Sequence, residues 1–198
     1  EQAMGAMRDD VLAASVDMGR LPEEIIPALY QSLSAGVPAD NVFEFMETAH
    51  QAALGGVTEL ETAVDGISSV VNAYGSDVMS ATEASDLMFT AVRLGKTDFS
   101  QLSASLSKVT PIASGMGISF DDVTAGLAAI TAKGTPTAVA TTQLSRLFQE
   151  LGDSSTEVSG IFEEVSGQSF LDFIDGGGNV AEVLSTLESE AIATGVPL

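Results

Sequence analysis

Cysteine and tryptophan are absent from this 198-residue chain, and cations are scarce: 7 Lys and Arg stand against 28 Asp and Glu, giving a formal charge of −21. Without cysteine there can be no disulfide, thiolate zinc site or cysteine nucleophile, and a thiol-free chain is compatible with either redox compartment. No Lys or Arg lies between Arg20 and Arg93 or after Arg146. No basic patch can therefore track phosphates, and direct sequence-specific nucleic-acid binding is not expected. Long apolar runs are missing too, since nothing approaches the roughly 18 residues that a membrane span needs. The opening EQAMGAMRDD also lacks the charged-then-apolar layout of a signal peptide. The chain does not open on Met and closes on Gly195-Val196-Pro197-Leu198, which reads like the start of another helical unit. It is expected to be a fragment of a longer polypeptide, with membrane contact only through flanks not included in it.

What is present is a core-forming composition, 45% hydrophobic, sufficient for one large helical domain or two small ones. The acidic, lysine-poor surface over that core suggests a protein working in high salt, from a halophilic or marine source, where screening removes self-repulsion.

Two stretches, one beginning at Ala28 and one at Leu87, share a grammar of helix end, small-residue turn, helix, second turn and a Gly-closed helix. The period is about 60 residues, the mark of repeated helical hairpins. Leu60, Val64, Ile67, Val71 and Tyr74 form one helical stripe, with Ser68 off it on the surface. Thr58 and Glu61 have capping-box spacing, and Gly75 is expected to close that helix in the left-handed conformation. Ser80 with Glu83 opens the next helix, with a core stripe of Leu87, Met88, Ala91 and Leu94 and a stop at Gly95. Thr97 is expected to cap a helix carrying Phe99, Leu102, Leu106, Val109 and Ile112, whose last turn Pro111 kinks or ends. Ser119 caps the helix of Phe120, Val123, Leu127 and Ile130, closed by Gly134. Thr135-Pro136, Leu21-Pro22 and Val37-Pro38 read as cap-plus-N1-proline pairs, with Asp40 in the first turn after Pro38 and Val139 in the stripe that runs to Leu151. Beyond Gly152 follow a polar segment, a short helix at Ile161, Phe162 and Val165, an apolar plug at Phe170, Leu171, Phe173 and Ile174, and a last helix from Asn179 through Ile192. No hairpin chemistry for strands is visible, so the class is all-α, as repeated helical hairpins in a compact bundle or short solenoid-like domain. The expected division is a helical lead-in at 1–20, a core at 21–152 and a C-terminal helical extension at 153–198.

Chemistry is thin. The single histidine, His50, has no Cys or second His at ligand spacing, which leaves it a structural or surface role. The pairs Glu23-Glu24, Asp121-Asp122 and Glu163-Glu164 do not point together on a helix, and most read as solvated first turns at the positive end of a helix dipole. The glycine-rich IDGGGN, Ile174 to Asn179, could bind an anion on free amides but lacks the Lys-Ser/Thr of a phosphate loop, and it reads as a flexible joint. Met46, Met79, Met88 and Met116 read as core filler. No catalytic, cofactor-binding or metal-ligating residue is expected.

Taken in order, several of these elements resemble the core region of phage tail tape measure proteins. They are the Gly-Val-Thr turn before Ala63-Val64, Asn72-Ala73-Tyr74-Gly75, Arg93-Leu94-Gly95-Lys96-Thr97 followed by Phe99, Pro111-Ile112-Ala113, Gly117-Ile118-Ser119-Phe120 and Gly134-Thr135-Pro136. FLDFIDGGGNVAEVLSTL, continuing to Leu198, resembles the downstream part of the same core. The resemblance implies a structural virion protein that occupies the tail tube lumen or tip, sets tail length through flanking helical parts and leaves ahead of the DNA. It also implies tail tube and tail tip proteins and tail assembly chaperones as partners, a homo-oligomer, and residence in the host cytoplasm during assembly. It carries no catalytic residues. The acidity departs from the family's commoner balance and points either to the host's salt or to an unusual tube lining. The alternatives are a helical-repeat adaptor binding partner peptides in a groove and a tail-associated wall hydrolase, which would need a paired acid and base or a metal triad.

Overall fold

Side chains that can accept a backbone amide decide where most helices begin. A computed structural model describes residues 2–194, with side-chain surroundings for residues 7–190, so the Ile192 side chain and Gly195 to Leu198 lie outside the described residues. In chain order the helices are α1 (Gln2–Met18), α2 (Pro22–Ser34), α3 (Val42–Gly56), α4 (Leu60–Tyr74), α5 (Ala81–Leu94), α6 (Phe99–Leu106), α7 (Thr110–Gly115), α8 (Phe120–Ala132), α9 (Thr137–Gly152), α10 (Glu157–Ser166), α11 (Phe170–Asp175) and α12 (Val180–Thr194). There is no strand among the described residues, and the fold is all-α.

Several starts fall where the side chains place them. Ser80 Oγ accepts from the Glu83 amide at 3.1 Å, Ser119 Oγ from that of Asp122 at 3.1 Å, and Asn179 Oδ1 from that of Glu182 at 2.9 Å. Leu21-Pro22 opens α2 as expected, the Leu21 amide donating to Glu24 Oε2 at 3.0 Å. Three other starts lie one residue later than the hydroxyl that marks them in the sequence. The cap of α4 is Glu59 and not Thr58, because the Thr58 amide turns back to Ala53 O at 2.9 Å and closes α3. Asp98, not Thr97, caps α6 and accepts from Gln101 N at 2.8 Å, leaving Thr97 Oγ1 to meet Thr137 Oγ1 at 2.6 Å. Pro136 itself is the cap of α9. Val37-Pro38 opens no helix: Pro38 O receives the Asn41 amide in a separate turn, Asp40 stays in that turn, and α3 starts at Val42.

Gly75 does end α4, but at φ 88 and ψ 140 it is extended with positive φ and not left-handed helical. The helix expected across Pro111 is two helices, α6 and α7, with the proline in the first turn of α7, where its missing donor costs nothing. Leu94, Val139, Ile161, Val165 and Leu171 are exposed rather than core. Ser68 is buried, because α4 is gripped by α2, α3 and α6 together and shows solvent little of its circumference.

The helices repeat three times, where the sequence pattern suggested two units. Each unit has a first helix (α2, α5, α9), a second that is whole or broken (α3; α6–α7; α10–α11) and a third (α4, α8, α12). The register is set just before each third helix, where Val57, Gly117 and Gly177 all take positive φ at intervals of about 60 residues. They lead into Glu59, Ser119 and Asn179, the residues just ahead of Leu60, Phe120 and Val180. Contacts between units repeat as well: α3 and α4 pack on α5 as α6 and α8 pack on α9. One apolar core runs through all three units, from Val11 to Leu187. The principal helix contacts lie within a unit or between consecutive units, the pattern of a short solenoid.

The backbones approach most closely where α4 crosses α6. A Cβ on Gly66 would collide with Ser103 Oγ and lie 2.9 Å from the Ser103 Cα, so the helices themselves would have to part. Gly66→Ala is expected to lower stability by about 1–3 kcal/mol through overpacking, read as a fall in urea midpoint. Val57 is the reverse case. It is a β-branched residue at φ 50, 93% exposed, in the conformation that glycine fills in the other two units. Val57→Asn should raise stability by about 1 kcal/mol, since the left-handed conformation costs most residues roughly 1–2 kcal/mol and asparagine less. An unchanged or lowered midpoint would show that the turn carries no such strain.

Candidate functional site

The polar groups with the best-defined surroundings join helices to one another. His50 is buried on α3, facing the corner between α1 and α2, and Arg20 Nε donates to its Nδ1 at 3.1 Å. The same guanidinium lies 3.7 Å from Glu24 Oε1. Burial first, then the Arg20 charge, holds the His50 pKa below the usual imidazole range, with Glu47 pulling the other way. The neutral ring therefore contributes stability above the ordinary histidine pKa, and that contribution is lost as the pH falls through the lowered value. This is the structural role expected of it. The flank of the corner is an open groove of about 590 Å³ between α1 and α3, edged by Asp10, Asp17, Glu44 and Glu47. Among the described residues, no three His, Asp or Glu side chains converge as metal ligands would.

A second junction ties the ends of three helices. The Tyr74 hydroxyl donates to Ile118 O at 3.1 Å while its ring meets Phe120, centroids 5.8 Å apart. Asp122, which also accepts from Ser119 Oγ at 2.7 Å, takes the Val180 amide on its other oxygen at 3.3 Å. Burial, with Asp122 adding, pushes the Tyr74 phenol far above its usual range, so it stays a neutral donor. Of the adjacent acids, Asp122 is thus a joint between α8 and α12, whereas Glu23 and Glu24 occupy the first turn of α2 and Glu163 and Glu164 lie on α10. Sequence reasoning missed this junction. Its trace was the spacing of about 60 residues between Ser119 and Asn179, which places the two helix starts at equivalent positions.

The glycine-rich segment leaves none of its three glycine amides free for an anion. The amides of Gly176, Gly177 and Gly178 donate to Asp172 O, Ile174 O and Phe173 O, all at 2.9 Å, and so close α11. The Phe173 ring fills the space that a Gly178 side chain would need. Met46, Met79 and Met88 are core and Met116 packs against it, one methyl lying where a Gly152 Cβ would be. No helix among the described residues is long and apolar enough to cross a membrane.

The sequence profile of the phage-related minor tail protein family matches residues 8–193. A probable tape measure protein of Clostridium phage phiCD119 is 33% identical over 195 residues. That alignment covers 93% of this chain and 21% of the relative, so the chain spans about a fifth of the length of the curated relative it matches. No solved structure matches. With the profile running through all three helical units, the chain belongs to the phage-related minor tail protein family.

Proposed function

We infer that this region is a folded bead on a tape measure protein, acting in tail assembly and genome delivery while other parts of the polypeptide set tail length. The observation that carries this reading is the interruption of the helices. A continuous helix of this chain's length would reach roughly 300 Å at 1.5 Å per residue, yet the longest helix among the described residues, α1, has 17 residues. The probable tape measure relative has about four-fifths of its length outside the matched region, ample for a ruler elsewhere. The role is structural and not enzymatic, the carboxylates serving helix starts and junctions. Tail tube and tip proteins, tail assembly chaperones and further copies of the protein are its partners. The bead resides in the tube lumen or at the tip, after assembly in the host cytoplasm.

Deleting one whole unit, residues 80–135, tests this, because α4 can then run directly into the cap of α9 as it now runs into the cap of α5. Assembly or infectivity should suffer while tail length in electron micrographs is unchanged. Viable particles with tails shortened by roughly 1.5 Å per deleted residue would show that the region is part of the ruler. The formal charge of −21 generates a second expectation, that the melting temperature climbs between low and molar salt as carboxylate repulsion is screened. A flat or falling curve would remove the high-salt reading and leave the tail reading standing.

A further inference from the structure

On the first helix of the second and third units, one face is covered by the second helix of the unit before. Counting from the helix caps Leu21, Ser80 and Pro136, the residues at equivalent places on this face are Ile26, Ser85 and Thr141, and one turn on, Tyr30, Phe89 and Ser145. Ser85 and Thr141 are buried. Phe89 lies under α3, its ring tip 3.1 Å from the place of a Gly55 Cβ, and Ser145 Oγ donates to Lys108 O, between α6 and α7, at 3.2 Å. On α2 the same two places hold larger apolar side chains, yet Ile26 is 55% and Tyr30 74% exposed. The third-helix place in front of α2 is already filled, because α1 packs on α2 and α3 as α4 packs on α5 and α6.

We propose that the Ile26–Tyr30 face of α2 is the seat of one further helix, equivalent to α3 and α6, supplied by the stretch of the same polypeptide that leads directly into α1. Three facts fix that occupant. In each unit a turn of only a few residues joins the second-helix segment to the third helix, so the helix that belongs on this face must enter α1 by a similar turn. A second copy of this chain would have to bring a third helix attached to its second, into space that α1 holds. Its charge of −21 would also oppose the approach. An aromatic at position 30 further asks for a small residue above it, as Gly55 stands above Phe89.

The test uses the polypeptide as the virus makes it, with a photo-crosslinking benzoylphenylalanine in a Tyr30→benzoylphenylalanine variant and hydroxyl-radical footprinting of the unsubstituted protein. Crosslinks to the segment just ahead of Glu1 are expected at every protein concentration. Tyr30 and Ile26 should be labelled several-fold more slowly than in the urea-unfolded polypeptide, while Val57 is labelled as fast as when unfolded. Tyr30 and Ile26 as reactive as Val57 would overturn the proposal. So would crosslinks that appear only at high concentration and join two copies, or that go to another tail protein.

Discussion

The first two units depend on helices coming so close that no Cβ fits at the glycines between them. Where α4 crosses α6 the contact is Gly66 against Ser103, and where α5 ends against α8 a Cβ on Gly95 would collide with Thr131 Oγ1 and meet the backbone of Ala128 at 3.0 Å. At the end of α3 the Phe99 side chain stands in the same relation to Gly56. The contacts at Gly66 and Gly56 sit at the boundary between the first and second units and that at Gly95 lies within the second, so small residues set spacing both between units and inside one. The apolar side chains, Phe99, Phe120, Phe148, Phe162 and Phe170 among them, then fill the space this spacing leaves.

The starts of α5, α8 and α12 were legible because Ser80, Ser119 and Asn179 each combine a good cap with an acid three residues on. Thr58, Thr97 and Thr135 misled by one residue, since a threonine near a helix start can serve the helix behind it or a neighbouring chain segment instead. At Thr58 it is the backbone amide that serves the helix behind, while the Thr97 hydroxyl goes to a neighbouring segment. The two-unit pattern became three because the last unit breaks its second helix at Gly167 and turns Ile161, Val165 and Leu171 outward, which hides the period that Gly177 preserves. The family was legible in the order of turns. The Arg20–His50 and Tyr74–Asp122–Val180 junctions were not, for they join residues 30 to 58 positions apart whose partnership no local pattern records.

Cations contribute little to holding the units together. Arg20 is engaged by His50 and Glu24 at the first corner, and Lys133 reaches Glu188 on α12 at 3.3 Å from an exposed position. Such exposed pairs are worth little. Cohesion falls to apolar burial and to hydroxyls that reach across units, such as Ser145 Oγ to Lys108 O at 3.2 Å and Ser114 Oγ to Ala73 O at 2.7 Å. Other buried hydroxyls are satisfied by their own helix, Thr131 Oγ1 by Leu127 O at 2.7 Å and Thr141 Oγ1 by Thr137 O at 2.9 Å, which permits their burial but adds nothing between units.

An array in which each unit leans only on the next has a mechanical character of its own. Its core is continuous, but the cohesion of that core is divided among successive seams. Drawn from one end, such a molecule surrenders in instalments, each yielding about 60 residues of slack while the remainder keeps its shape. The peak force is then that of a single seam, however many units stand behind it.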